Sequence, residues 1–162
     1  ARAAGADLES IRTAIQGFKP GRHRIELALD KDGIRWINDS KATNPHAAQA
    51  SLFSNTSSIW IAGGLAKGAH FEELIDKCKS RIKAALLIGT DRELIATELA
   101  KHNIEFYRID GENIMESAVQ KAKELAEPGD TVLMAPACAS MDQFKNYSDR
   151  GDQFVAAVKK FA

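Results

Sequence analysis

The chain has 162 residues, enough for one domain with a proper core. Its 22 Lys and Arg balance its 22 Asp and Glu, so no overall field draws in nucleic acid or a membrane surface, and nothing nears the ~18 apolar residues of a membrane-crossing helix. The first residues lack the basic-then-apolar pattern of a signal peptide, and Cys78 and Cys138 lie far apart without CxxC spacing. The expectation is a reduced, cytoplasmic protein without disulfide or zinc site.

Asp7 suits a helix cap, and Leu8, Ile11, Ile15 and Phe18 share one face of the helix it would start. The run Gly17-Phe18-Lys19-Pro20-Gly21 then breaks the pattern, as Pro and Gly do. A lone amphipathic helix before such a hinge reads as the tail of a preceding domain. Two β-rich runs follow, 24–29 and 34–37, around Asp30-Lys31-Asp32-Gly33; Asp-Gly is a tight-turn signal, so a hairpin is expected. Residues 45–53 read as a helix with Pro45 in its first turn.

Strand and helix then alternate. Strands are expected at 58–62, 84–88, 104–109 and 131–135, and helices at 70–81, 91–101, 113–126 and from 151 or 152 to 161. This order predicts an α/β fold: a Rossmann-like, mainly parallel sheet of about six strands, one antiparallel strand from the hairpin, and helices on both faces. Trp36 and Trp60 fall within strands and are expected in the core.

In such a sheet, ligands bind outside the carboxyl ends of the strands. Four loops leave that edge, at 38–44, 63–70, 89–91 and 136–150, and the unusual polar residues all fall in them. Asp39 and Lys41 sit two apart. Asp39 suits a ribose hydroxyl or a metal held through water, and Lys41 suits a phosphate or carboxylate; an Asp-Ser turn with a solvated lysine fits the same residues. Gly63-Gly64-Leu65-Ala66-Lys67-Gly68 is not a Walker A loop, which needs Ser or Thr after GK, but its glycines admit close backbone approach and Lys67 suits a carboxylate. A flexible surface loop is the plainer account of that stretch. Ser140, Asp142, Gln143, Lys145, Asn146, Tyr147 and Arg150 form the densest polar group. Ser140 has no nucleophile elbow and no evident base, so it reads as a hydrogen-bonding group, and Cys138 as a small buried thiol. Arg24 follows the hinge and suits a phosphate on domain closure, or a simple strand-end charge. The four histidines lack metal-ligand spacing and are expected at the surface or in packing.

Gly21-Arg22-His23-Arg24-Ile25-Glu26, Trp36 to Asn44, Gly63-Gly64 with Lys67, Pro136 to Tyr147 and Arg150-Gly151 together closely resemble the C-terminal domain of the Mur ligase family. The resemblance covers residues 21–162. Ser40-Lys41-Ala42-Thr43-Asn44 and Pro136-Ala137-Cys138-Ala139-Ser140 with Asp142-Gln143-Phe144-Lys145-Asn146 favour its D-glutamate-adding branch over the other Mur and folylpolyglutamate relatives. The resemblance implies a three-domain, cytoplasmic and monomeric enzyme of peptidoglycan synthesis. ATP phosphorylates the carboxylate of UDP-N-acetylmuramoyl-L-alanine, and the amine of D-glutamate attacks the acyl phosphate. ATP and Mg2+ would be held mainly by a central domain. Residues 1–20 then correspond to that domain's last helix and the hinge, and 21–162 to the D-glutamate-docking domain, inactive alone.

Carried over by position, Thr43, Lys67, Ser140 and Tyr147 match residues that hold D-glutamate. Arg24 matches an arginine at the phosphates, Asp39 a residue near the ribose, and Lys41 a lysine of the same cleft. No residue here matches a nucleophile or a metal ligand, consistent with catalysis by positioning and charge neutralisation. Tyr147 stands where the family more often has Phe, Met141 where it has Leu, and Gly64-Leu65-Ala66-Lys67 differs from the usual Gly-Asp-Gly-Lys. The alternative is a non-catalytic amino-acid or nucleotide binding module on the same fold. A flavodoxin-like partner-binding protein is disfavoured, because Ser40-Lys41-Ala42-Thr43 offers no glycine for a phosphate loop.

Overall fold

The computed structural model describes residues 2–17 and 21–162. A 3-10 turn (Arg2–Ala4) precedes helix α1 (Leu8–Gly17), where the Asp7 carboxylate accepts from Ser10 N at 2.8 Å as the expected cap. None of α1's residues is buried, and Leu8 and Ile15 are 64% and 70% exposed. Phe18 and most of the expected hinge lie outside the described residues.

Strands β1 (Glu26–Lys31) and β2 (Ile34–Asn38) form the hairpin. Its turn is the two residues Asp32 and Gly33, both left-handed at φ 54° and 76°, which matches the twist of the flanking strands. Asp30 and Lys31 therefore belong to β1 and not to the turn. The strand also starts later than expected: His23 (φ 62°) and Ile25 (φ 48°) are left-handed, so 24–25 cannot extend it.

The remaining elements are α2 (Pro45–Phe53), β3 (Ser58–Gly63), α3 (Glu72–Cys78) with a 3-10 turn (Lys79–Arg81), β4 (Ile82–Ile88), α4 (Arg92–Lys101), β5 (Glu105–Arg108), α5 (Ile114–Leu125), β6 (Thr131–Met134) and α6 (Tyr147–Phe161). The expectation for α2 holds to the residue; its cap is Asn44, whose side chain accepts from Ala47 N. The last helix is corrected. It begins at Tyr147, not 151, because Asn146 caps it by accepting from Asp149 N. Gly151 sits inside this helix where it passes His23; a Cβ there would lie 2.3 Å from His23 Nδ1.

The sheet order is β1-β2-β6-β3-β4-β5, with β1 antiparallel to β2 and every other pair parallel. Alternate residues feed two cores. Ile37, Trp60, Ala62, Ala85, Leu87 and Leu133 face one core with α2, α3 and α4; Trp36, Ile59, Ile61, Leu86, Val132 and Met134 face the other with α5 and α6. Both tryptophans are core, as expected, at 2% and 0% exposure. Each fully buried Leu or Ile contributes about 1.5–3 kcal/mol, and both sheet faces are covered by helices of this chain. Strand β6 enters the sheet between β2 and β3, and its following helix lies on the face opposite α2 and α3. The loops after β2, β3 and β6 thus diverge at one edge, the crevice where open α/β sheets bind ligands.

Candidate functional site

Backbone hydrogen bonds join the three loops. Asp39 N donates to Met134 O (2.8 Å), Ala137 N to Ala42 O (2.9 Å) and Gly63 N to Pro136 O (2.8 Å). Leu65 and Ala139 exchange both N–H···O bonds at 2.9 Å, an isolated antiparallel bridge above the parallel sheet. The loop of Lys67 therefore lies directly against the loop of Ser140.

Glycines make this packing possible. A Cβ on Gly63 (φ 116°) would stand 1.9 Å from Ile88 O, and one on Gly64 (φ 130°) 2.1 Å from Ala139 O. Two carboxylates finish the frame, and sequence reasoning gave neither this job. Asp91 Oδ2 accepts from Ala66 N (2.8 Å), and Asp142 Oδ2 from Thr90 N (2.8 Å). Lys67 follows Ala66, is exposed, and has left-handed φ of 51°.

A second frame sits around β2 and α6. Asn38, fully buried, donates through Nδ2 toward His23 Nδ1 (3.0 Å), Glu26 Oε2 (3.0 Å) and Gly151 O (3.3 Å), and accepts from Ser40 N. His23 is 4% exposed, a packing histidine as expected. Arg150, also fully buried, donates to Ser40 Oγ (3.0 Å), Ser40 O (2.9 Å) and Cys138 O (3.1 Å). Ser40 Oγ in turn donates to Tyr147 O at 2.7 Å. Burial lowers the Arg150 guanidinium to about 10, still charged at neutral pH, and pushes the Cys138 thiol up to about 12, so that thiol stays protonated. Arg150 is a structural clamp between two loops and a helix, not the loop side chain that its expected position implied.

The residues expected to contact a nucleotide fall together. Arg24, Asp39 and Lys41 line one groove of about 250 Å³ with Ile25, Ala47 and Ser51. Asp39 Oδ1 accepts a long 3.3 Å bond from Ile25 N, and Oδ2 accepts from Ser51 Oγ, so the carboxylate is anchored at 6% exposure in the groove that Arg24 and Lys41 also line. Among the described residues, neither Arg24, Lys41 nor Lys67 forms an ion pair. Of the expected D-glutamate residues, Thr43 is half-buried on the Ala42–Ala137 seam and Ser140 is 3% exposed with its carbonyl accepting from Gln143 and Phe144. Tyr147 stands half-buried in the first turn of α6. No group of three His, Cys, Asp or Glu among the described residues is arranged around a metal position, and none of these residues is assigned to Mg2+. No described helix is long and apolar enough to cross a membrane.

An anchored carboxylate, cations without ion pairs among the described residues and glycine-lined backbone gather at one edge of a doubly wound sheet, a chemistry that suits anionic small molecules. The family described as Mur ligase, glutamate ligase domain, matches residues 23–138, and the chain belongs to that family. It is 51% identical to the UDP-N-acetylmuramoylalanine--D-glutamate ligase of Streptomyces avermitilis, over 98% of this chain and 35% of that protein. The enzyme of the same name from Streptomyces coelicolor is 50% identical over 99% and 35%. The chain thus spans 35% of the length of these relatives. Among solved structures, the UDP-N-acetylmuramate-alanine ligase MurC of Thermotoga maritima superposes with a TM-score of 0.65 at 16% identity, covering 98% of this chain and 35% of that one. MurF ligase of Thermotoga maritima in complex with ADP gives 0.60 at 14%, with the same coverage. At these identities the likeness is one of fold.

Proposed function

We propose that this chain is the amino-acid-docking domain of an ATP-dependent ligase that joins D-glutamate to UDP-N-acetylmuramoyl-L-alanine in peptidoglycan synthesis, acting in the cytoplasm as part of a monomer. Residues 21–162 form that domain, and 1–20 belong to a preceding ATP-binding one. The exposed apolar face of α1 supports this division, since none of the described residues covers Leu8 or Ile15, which are 64% and 70% exposed. Identity near 50% along the whole chain favours a ligase domain over a free-standing binding module.

The observation that carries the reading is the bridged rim, which brings the Lys67, Ser140 and Thr43 loops together beside a separate cation-lined groove. Lys67 meets a carboxylate of D-glutamate, with Thr43, Ser140 and Tyr147 as hydrogen-bonding partners. Arg24 and Lys41 meet the phosphates of ATP, and Asp39 the ribose. ATP supplies the phosphoryl group and Mg2+ neutralises its charge; both are held chiefly outside this chain. These residues align the amine of D-glutamate with the acyl phosphate and offset negative charge, without a nucleophile of their own.

The test is a titration of D- and L-glutamate into isotope-labelled protein. D-Glutamate is expected to shift Thr43, Lys67, Ser140 and Tyr147, and the chain alone is expected to give no ligase turnover. Absence of any D-glutamate response even in the full-length enzyme overturns the assignment; robust turnover by the chain alone overturns the division of labour.

A further inference from the structure

The phenol hydroxyl of Tyr147 has a partner within the chain itself. Its backbone is fixed twice: Asn146 caps the turn it begins, and its carbonyl accepts from Ser40 Oγ at 2.7 Å. Lys41 is fixed from the other side, its N–H donating to His23 O at 3.0 Å. From these two anchored positions the side chains meet. Lys41 Nζ donates to Tyr147 Oη at 3.3 Å and lies 5.1 Å from the ring centroid. The His23 ring stands edge-on to the phenol, the ring centroids 6.3 Å apart.

A surface lysine ordinarily samples many rotamers or pairs with a carboxylate. This one is held by a neutral acceptor, which leaves its charge intact and occupies one of three ammonium N–H groups. The other two are available to an anion in the groove that Lys41 shares with Arg24 and Asp39. We propose that Tyr147 is a positioning residue for Lys41, its hydroxyl holding the ammonium at the seam between the groove and the amino-acid loops so that it meets a polyphosphate already oriented. The inference rests on the nucleotide reading of that groove. A phenylalanine in this position keeps the ring and loses the acceptor.

The pairing has a spectroscopic signature. Hydrogen bonds from Lys41 and then Ser148, with the Lys41 charge and a smaller push from Arg24, hold the Tyr147 phenol below the ordinary range, against a slight opposing effect of burial. Tyr107, the other tyrosine, lies above it because its hydroxyl donates to Glu105. Ultraviolet phenolate titration is expected to place Tyr147 below Tyr107, and Tyr107→Phe to retain the lower step. Lys41→Met is expected to move that lower step upward. In the full-length ligase, calorimetry with ADP is expected to show Tyr147→Phe binding about three- to tenfold more weakly, with the double variant no worse than Lys41→Met alone. An unmoved phenol step in Lys41→Met, wild-type ADP affinity in Tyr147→Phe where Lys41→Met weakens it, or additive losses overturn the proposal. If Lys41→Met leaves ADP affinity unchanged while still moving the phenol step, the nucleotide reading of the groove falls and the positioning of Lys41 by Tyr147 stands.

Discussion

The amino edge of the sheet and the rim around the loops after β2, β3 and β6 treat charge in opposite ways. At the amino ends of the parallel strands, Lys83 donates to both Asp130 Oδ2 and Glu127 Oε2 at 2.7 Å, and Ser57 Oγ fills Asp130 Oδ1 at 2.6 Å. Arg35 nearby is shared between Asn55 and Thr131. At the rim around the loops after β2, β3 and β6, no ion pair among the described residues involves Arg24, Lys41 or Lys67, while Asp39, Asp91 and Asp142 are turned onto backbone N–H groups and a serine. Past β4 and β5, charges pair again, Arg92 with Asp110 and Arg108 with Glu93. The same residue types saturate one another at the amino edge and are kept apart at this one rim, where the proposed function puts its anionic ligands.

That contrast breaks most visibly at the glycine frame. Gly63→Ala is expected to cost about 3 kcal/mol or more, because the added methyl meets Ile88 O and the φ of 116° disfavours any side chain. Urea denaturation checks it, and a neutral result means the loops are not nested as described.

Next comes the saturated end. Burial raises the Asp130 carboxyl, but hydrogen bonds from Lys83, Ser57 and Glu127 N outweigh it and leave the group below its ordinary range. Lys83 is raised, chiefly by Asp130 and then Glu127. A depressed carboxylate stabilises the fold above its unfolded pKa of ~3.9 and loses that contribution as pH falls through the folded value. A raised lysine contributes below ~10.4 and loses it as pH rises through the folded value. Asp130→Asn is expected to cost about 1–2 kcal/mol at neutral pH, with the gap to wild type closing below the carboxylate range in thermal melts. A gap that stays constant down to that range contradicts the account.

The smallest effect on stability belongs to the open end. Lys67→Asn, whose new side chain tolerates left-handed backbone, should change stability by no more than ~0.5 kcal/mol while removing the response to D-glutamate. A large loss of stability there would place Lys67 among the structural residues.

Much of this was readable from local chemistry. Asp32-Gly33 specified the hairpin, alternating apolar runs located the strands, and Pro45 marked the first turn of α2. What escaped depends on residues far apart in the chain. Gly151 looks like a helix start until His23, distant in sequence, is seen against it. Arg150 has no carboxylate to announce a partner; two carbonyls and a hydroxyl satisfy it. Asp91 and Asp142 suggest ligand chemistry by type, yet each turns one oxygen onto a backbone N–H, and Asp142 Oδ1 is buried without a partner among the described residues. The groove residues Arg24, Asp39 and Lys41 were legible as polar groups near a strand end, but their meeting required the left-handed backbone at His23 and Ile25.

The bridge between Leu65 and Ala139 has a consequence for how a guest is received. Two mobile fingers closing on a small molecule would each surrender freedom at the moment of capture, and affinity would suffer for it. Here the bridge joins both into a single plate during folding, so under the proposed function the entropic loss falls on the protein's birth and not on each capture.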